Sequence, residues 1–140
     1  MLKNIPKILS PELLKVLCEM GHGDELVIAD ANFPAHSVNA HVIRADGIKG
    51  TEMLKAILKV IPLDTYVEAN FLLMNVTNND PIPEIWEEYK KIAAKEDKNV
   101  RIEMLERFAF YERAKKAYVV IATGEERIYA NIILKKGVIK

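Results

Sequence analysis

Hydrophobic residues in the N-terminal part of the chain recur with the period of an amphipathic helix. Ser10-Pro11-Glu12 is a favourable helix start, because serine caps, proline suits the first helical position and glutamate favours the positive end of the helix dipole. The apolar stripe that follows consists of Leu13, Leu14, Leu17 and Met20. We expect this helix to end at Gly21, in a left-handed C-cap.

Short apolar runs then alternate with amphipathic segments to the end of the chain. The predicted strands are residues 25–30, 41–44, 71–76, 100–104, 118–122 and 131–134. The predicted helices are residues 51–61, capped by Thr51, residues 83–94, and residues 107–117 with Phe108, Tyr111 and Ala114 facing inward. Strands alternating with helices predict an α/β fold: a layered sheet, mixed but largely parallel, with helices packed on it. No linker interrupts residues 1–140, which we interpret as a single domain.

Composition narrows the class of protein. The 140 residues include 20 Lys+Arg and 20 Asp+Glu, and this balance argues against a broad nucleic-acid or anionic-membrane surface. No apolar run approaches the roughly 18 residues of a membrane span, and residues 1–10 lack the apolar core of a secretory signal. The single cysteine, Cys18, excludes an intrachain disulfide and a Cys-rich zinc site. We expect a soluble, cytoplasmic protein.

Several catalytic classes lack the residues they need. Neither Ser10 nor Ser37 sits in the strand–turn–helix context of a hydrolase nucleophile. Gly21-His22-Gly23 follows a helix and precedes a strand, which is the reverse of the order in a phosphate-binding loop. None of the three histidines pairs at a helical ligand spacing, so we predict no metal site and no cofactor.

Five residues form a candidate acid–base set. His22 titrates near neutral pH, and it follows a helix whose negative end favours the protonated imidazole. Asp30 follows the first strand, at the edge where α/β sheets bind ligands. Arg107 can reach several oxygens with one planar guanidinium. Tyr129 and Asn131 are at strand spacing, so we expect them on one face.

Each member of this set also fits a structural role. The alternatives are a plain turn, a loop-capping carboxylate, a solvated helix arginine paired with Glu103 or Glu106, and a surface strand pair. Taken together, the five suit general acid–base chemistry on a polyhydroxylated small molecule, because they include hydroxyl-binding groups and a titrating imidazole but no nucleophile.

Several stretches resemble one known family. They are residues 13–25 with Gly21-His22-Gly23-Asp24, Asp30-Ala31-Asn32-Phe33-Pro34, Arg107-Phe108-Ala109-Phe110-Tyr111, and Tyr129-Ala130-Asn131 with Leu134-Lys135-Lys136-Gly137. They are similar to the L-fucose mutarotase family, relatives of D-ribose pyranase. The resemblance implies a cytoplasmic, cofactor-free isomerase that interconverts the α and β anomers of L-fucose or a close monosaccharide. It also implies a homo-oligomer, a decamer of two stacked pentameric rings, with sites at subunit interfaces.

The resemblance also implies roles for the five residues. His22 becomes the proton donor, Asp30 and Arg107 bind the sugar, and Tyr129 and Asn131 complete the site. We expect Tyr129 to be the acid–base partner of His22, and Asp30 to hold a hydroxyl or to orient the histidine.

Three points stay open at this level. The family has glycine between the tyrosine and the asparagine, and we expect the methyl group of Ala130 to narrow the pocket. A D-ribose pyranase type of pyranose–furanose interconversion is one alternative function. A non-catalytic sugar-binding ring is another.

Overall fold

The computed structural model describes residues 1–140. Its helices are α1 (Pro11–Glu19), α2 (Ala35–Val38), α3 (Gly50–Leu58), α4 (Ile85–Glu96) and α5 (Arg107–Lys116). Its strands are β1 (Glu25–Ala29), β2 (Val42–Ala45), β3 (Phe71–Met74), β4 (Ile102–Leu105), β5 (Val119–Thr123) and β6 (Ile132–Lys135). Every predicted helix and strand is present with slightly shifted ends. The short helix α2 was not predicted. No helix is long and apolar enough to span a bilayer.

The six strands form one sheet in the order β2-β5-β1-β6-β3-β4. Only β6 runs against its neighbours β1 and β3, and the other adjacent strands pair in parallel. The predicted mixed but largely parallel sheet is therefore confirmed. The strand order, which local patterns do not encode, is new information from the structure.

Helices cover both faces of the sheet. In β1, Leu26 and Ile28 face a core shared with α1, α3 and α4, whereas Val27 and Ala29 face a second core shared with α2 and α5. Strands covered on both faces read as continuous apolar runs, which is why β1, β3 and β5 lack the polar alternation of half-exposed strands.

The start of α1 is as predicted, but its end is not. The Ser10 hydroxyl accepts the Leu13 N–H at 3.2 Å. The helix ends before an extended Met20, and the left-handed glycine is Gly23, with φ of +88°, so the prediction of a C-cap at Gly21 was wrong.

The reason lies in Lys136, which follows β6. Its ammonium group donates to the carbonyls of Leu17 and Met20 at 2.7 and 2.5 Å, and so binds the carbonyl end of α1 without a glycine cap. The Gly23 N–H donates to the Lys136 carbonyl at 2.8 Å, which joins the following turn to the end of β6.

Two further helix details differ from the predictions. Helix α3 begins at Gly50, so Thr51 lies inside the first turn and makes no cap, and Lys49 precedes the helix without a side-chain cap either. In α5, Phe110 occupies the core and Phe108 is 65% exposed. Positions two apart lie on nearly opposite sides of a helix, so Phe108 could not share the stripe of Phe110 and Ala114.

Candidate functional site

The predicted site residues gather at one edge of the sheet because of the strand directions. Asp30 directly follows β1, and Met74 is the last residue of β3. Because β6 is antiparallel to β1, Ile132 at its start pairs with Ile28, so Asn131 lies at this same edge. The carboxyl ends of parallel strands are where open α/β sheets bind ligands.

A pocket of about 310 Å³ opens at this edge. Its polar lining is Asp30, Asn32, Thr77, Asn78, Arg107, Tyr111, Tyr129 and Asn131, and its apolar lining is Phe33, Pro34, Met74 and Ile128. The volume is near the lower end of the roughly 300–1,000 Å³ seen for ligand pockets. The pocket therefore suits a small ligand with several hydroxyl groups and one apolar side.

Asp30 is the buried carboxylate of the pocket, with 5% of its surface exposed. One oxygen accepts the Asn32 N–H at 3.0 Å, and the other accepts Asn131 Nδ2 at 3.0 Å and the Ala130 N–H at 3.3 Å. Burial raises the pKa of Asp30, and the hydrogen bonds from these donors only partly offset that rise. The carboxyl group is thus held in one orientation at the pocket wall.

Tyr129 reaches the pocket from a strained turn. Its φ is +56°, in the left-handed region, and β6 begins only at Ile132, so Tyr129 and Asn131 do not lie on the strand from which their common face was predicted. Both side chains line the pocket nonetheless. The left-handed conformation costs a residue with a Cβ roughly 1–2 kcal/mol, so neighbouring contacts must hold it in place.

Helix α4 supplies those contacts. The Trp86 indole N–H donates to the Tyr129 carbonyl at 2.8 Å, and the Tyr89 hydroxyl donates to the Ala130 carbonyl at 3.1 Å. Both donors are buried, so each carbonyl has a fixed partner in the core. The sequence pattern identified these aromatic residues only as part of the helix predicted over residues 83–94.

The Tyr129 hydroxyl is bound by the loop after β3. It donates to Asp80 Oδ2 at 2.6 Å and accepts the Thr77 N–H at 3.2 Å, and the Thr77 hydroxyl lies 3.0 Å away. Sequence reasoning missed Asp80, since an aspartate in a polar loop carries no local signal of its partner.

Arg107 is exposed at the first turn of α5. Its Nε donates to the Tyr111 hydroxyl at 3.2 Å, a bond that raises the pKa of Arg107. The guanidinium lies 5.5 Å from the ring centre of Phe108 and 5.4 Å from that of Tyr111. The alternative of an ion pair with Glu103 or Glu106 is wrong, because Glu106 instead caps α5. The guanidinium is free to bind a ligand.

His22 lies away from the other four residues. It precedes β1, at the opposite edge of the sheet, and five strand residues at roughly 3.3 Å each, about 17 Å in all, separate it from Asp30. Its Nε2 is 3.0 Å from Asp64 Oδ1, and its ring packs against Tyr66 with 5.3 Å between centroids. Lys136, and not the imidazole, occupies the negative end of α1. Within one chain Asp30 is too distant to orient His22.

The sequence profile of the RbsD / FucU transport protein family matches residues 3–139. The chain belongs to this family.

Relatives of this RbsD / FucU member are similar to it in sequence and structure over nearly its whole length. The fucose mutarotase of Danio rerio is 52% identical over 146 residues, which cover 99% of this chain and 94% of the relative. The crystal structure of the fucose mutarotase of Streptococcus pneumoniae in complex with L-fucose has a TM-score of 0.94 at 52% identity, covering 99% of this chain and 100% of that one. Bacillus subtilis RbsD complexed with D-ribose has a TM-score of 0.72 at 25% identity, covering 100% of both chains.

In this family member the Ala130 methyl does not narrow the pocket. Ala130 is fully buried in the core that contains α4, and it is absent from the pocket lining. Its side chain points away from the cavity, whereas its neighbours Tyr129 and Asn131 point into it. The expected narrowing was wrong because the Ala130 methyl packs into the core behind the pocket.

No group of three or more His, Cys, Asp or Glu side chains is arranged to hold a metal ion. The hydrogen-bonding groups of the pocket are a fixed carboxylate, a phenol paired with Asp80, a carboxamide and a guanidinium that bonds only the Tyr111 hydroxyl. Such groups bind hydroxyls and move protons.

Proposed function

We propose that this protein is a cofactor-free mutarotase, an isomerase that interconverts the α and β anomers of free L-fucose or a close monosaccharide. Residues 1–140 act as one sugar mutarotase domain. The observation that carries the proposal is the convergence of Asp30, Arg107, Tyr129 and Asn131 on one pocket of about 310 Å³. The relatives named fucose mutarotase, one of them solved in complex with L-fucose, support the choice of sugar.

Mutarotation needs two coupled proton transfers. Protonated His22 gives a proton to the ring oxygen as the bond between that oxygen and C1 breaks, and the electron pair of the bond stays on the ring oxygen. The C1 hydroxyl gives its proton through water to the Tyr129 oxygen as Tyr129 passes its own hydroxyl proton to Asp80, and C1 becomes a carbonyl. Rotation of the C1 carbonyl and reversal of both transfers give the other anomer. General acid–base catalysis of this kind contributes roughly 10²–10⁴-fold.

The remaining side chains would hold the sugar during ring opening. Asp30 accepts from a hydroxyl, Arg107 donates to one or two oxygens with its fork of N–H groups, and Asn131 uses the amide hydrogen that Asp30 leaves free. The pocket has one carboxylate and one guanidinium, whose charges balance. A ligand without charge, such as a neutral sugar, therefore suits it.

We further propose that a second copy of the chain completes the site with its own His22. Two features support this. His22 and the pocket lie at opposite edges of one sheet, and two large apolar side chains near the pocket are exposed: Ile128, which lines it, at 54%, and Phe108, which packs beside Arg107, at 65%. Exposed large apolar groups at a rim are typical of contact surfaces. A homodecamer of two pentameric rings, as the resemblance implies, would repeat this contact around each ring.

We also propose that the protein is located in the cytoplasm. The single cysteine, Cys18, is an exposed free thiol, and exposed free thiols suit a reducing compartment. Neither nucleic acid nor membrane is expected as a partner, because the chain carries 20 basic and 20 acidic residues in balance.

Saturation-transfer NMR of L-fucose, which follows exchange between its anomers, tests the activity. We expect the parent protein to accelerate the exchange and His22→Ala to abolish the acceleration. His36→Ala, which removes an exposed histidine that does not line the pocket, is the matched control and should exchange like the parent. An unaffected His22→Ala would contradict the proposed role.

The same measurement on D-ribose distinguishes the pyranase alternative from the mutarotase. The structural similarity to an RbsD–ribose complex supports that alternative. Faster pyranose–furanose exchange of ribose than anomer exchange of fucose would favour it. Sugar binding without accelerated exchange of either sugar would favour a non-catalytic ring.

Subunit mixing tests the shared site. If His22 and Arg107 of one site come from different copies, then co-expressed His22→Ala and Arg107→Ala chains form some sites that contain neither substitution. We expect such mixed oligomers to regain part of the activity that each variant lacks alone. A mixture that stays inactive, or a stable monomer in sedimentation, would contradict a shared site.

A further inference from the structure

Asp64 is a buried acidic residue with a rigid backbone at the edge of the sheet opposite the pocket. Only 2% of its surface is exposed. Its N–H donates to the Lys135 carbonyl at 3.0 Å, and its carbonyl accepts Asn70 Nδ2 at 2.9 Å. The backbone of Asp64 is thus fixed from β6 on one side and from a buried asparagine on the other.

The carboxylate of Asp64 has two partners. Oδ1 accepts the Tyr66 N–H at 3.0 Å and lies 3.0 Å from His22 Nε2. Burial raises the pKa of Asp64, but the Tyr66 N–H, the bond to His22 and the charge of Lys135 together outweigh it, so the pKa lies below its ordinary value. Asp64 is therefore ionised at neutral pH, and an ionised carboxylate can only accept hydrogen bonds.

We propose that Asp64 is a positioning residue that keeps a proton on His22 Nε2, and so makes Nδ1 the nitrogen that exchanges protons with the sugar. The hydrogen bond made by one imidazole nitrogen decides which nitrogen is protonated in the neutral ring. This inference rests on the proposed function, in which His22 is the proton donor.

The loop around Asp64 also fixes the ring itself. Tyr66, two residues further on, packs on the His22 ring with an interplanar angle of 55°, and Lys140 Nζ lies 4.9 Å from the centre of the Tyr66 ring. The loop that accepts the Nε2 proton therefore also packs against the ring. The turn that carries His22 is tied to the end of β6 through Gly23.

The proton balance of the reaction fits this arrangement. When Nδ1 gives its proton to the ring oxygen, the imidazole becomes neutral and keeps its Nε2 proton on Asp64. Asp64 takes no proton at any step. Its carboxylate accepts the hydrogen bond from Nε2 both before and after ring opening, so that Nδ1 can take the proton back on closure.

The first test is spectroscopic and needs no activity. In protein labelled with ¹⁵N-histidine, at a pH where the imidazoles are neutral, the His22 signals are identified by their loss in His22→Ala. We expect Nε2 to show the shift of a protonated nitrogen and Nδ1 that of a bare nitrogen. Protonation of Nδ1 in the neutral ring would overturn the proposal.

The second test is Asp64→Asn, which keeps an oxygen for the Tyr66 N–H but removes the charge. An amide can accept from Nε2 or donate to it, so both tautomers of His22 should appear. We expect kcat for anomer exchange to fall about 10–100-fold, the range found for carboxylates that orient metal-binding histidines, with KM changed less than about twofold because Asp64 does not line the pocket.

Asp97→Asn is the matched control. Asp97 binds the Leu63 N–H at 2.9 Å, and so supports the same loop without touching His22. It should keep one tautomer and the parent exchange rate. If His22→Ala loses activity while Asp64→Asn keeps it, the positioning role is refuted and the proposed function stands. If His22→Ala also keeps activity, both fail.

Discussion

Asn131 and Asp30 bond to each other twice across the edge of the sheet. Asn131 Oδ1 accepts the Asp30 backbone N–H at 2.8 Å, and Asn131 Nδ2 donates to Asp30 Oδ2 at 3.0 Å. Both residues are buried. Only a carboxamide supplies an acceptor and a donor with this spacing, so Asn131 determines where the Asp30 carboxylate points as well as what the pocket wall offers to a ligand.

Asn131→Ala should therefore weaken both folding and activity. The Asp30 N–H would be left buried without a partner, which costs about 1–3 kcal/mol, and the carboxylate would lose its side-chain donor. Urea unfolding should show a free energy lower by that amount, and saturation-transfer NMR should show slower exchange. Asn75→Ala, at an exposed position, should change neither. Parent-like stability of Asn131→Ala would show that the paired bonds contribute nothing.

Asp80→Asn tests the partner of the Tyr129 phenol. The 2.6 Å bond from Tyr129 to Asp80 Oδ2 is charge-assisted, and such bonds are roughly twice as strong as neutral ones. An amide in its place can turn its NH₂ group toward the phenol and release it. We expect exchange to slow about tenfold, the lower end of the range found for partners that orient metal-binding side chains, while the thermal midpoint changes little. Glu87→Gln, on the exposed side of α4, is the control.

Local patterns predicted most elements because helices and strands differ in period. The stripe of α1 and the apolar runs of β1, β3 and β5 each follow from neighbouring residues alone. The location of the pocket was predictable as well, because Asp30 directly follows a strand and the carboxyl ends of parallel strands meet at one edge of the sheet. Four of the five proposed residues line that pocket.

The features of the site that were not predicted depend on contacts between distant parts of the chain. Asp64 and His22 are 42 positions apart, and Tyr129 and Asp80 are 49 apart. No spacing rule joins such pairs. The left-handed turn at Tyr129 was missed for the same reason, because its carbonyl is fixed by Trp86, 43 residues earlier. The distance of His22 from the other four residues was not predicted, because the sequence does not say at which edge of the sheet it lies or whether a second copy of the chain brings it to the pocket.

Gly50 and Tyr89 form a steric pair that supports the Tyr129 turn. A Cβ at Gly50 would lie 2.0 Å from the Tyr89 hydroxyl oxygen, which donates to the Ala130 carbonyl. Gly50→Ala should therefore lower the free energy of unfolding, although alanine is otherwise favoured in helices by about 1 kcal/mol.

A double-mutant cycle measures the coupling between Gly50 and Tyr89 directly. Tyr89→Phe removes the hydroxyl, so Gly50→Ala should cost less in the Tyr89→Phe background than in the parent. Coupling between contacting residues is typically about 0.5–3 kcal/mol. Additive losses in urea unfolding would mean that the close approach of Gly50 and Tyr89 is not what restricts position 50.

Glu125 should make folding stability depend on pH in a defined direction. It is 3% exposed and accepts Arg127 Nε at 3.1 Å and the Arg127 N–H at 3.2 Å. Burial raises the pKa of Glu125, but the bonds from Arg127 outweigh it and hold the pKa below the ordinary 4.5. The unfolded chain thus binds this proton more readily than the folded one. The stabilisation is complete above pH 4.5 and is lost as the pH falls through the folded value.

Glu125→Gln isolates this contribution, because glutamine does not titrate. The Arg127 side chain is 42% exposed, so solvent screens the pair, and we expect a difference of about 1 kcal/mol between parent and variant near neutral pH. Urea unfolding at a series of pH values should show that difference shrinking toward zero below pH 4.5. Glu126→Gln, at the exposed neighbouring position, should track the parent throughout. A difference that grows on acidification would mean that burial, and not Arg127, controls the Glu125 carboxyl.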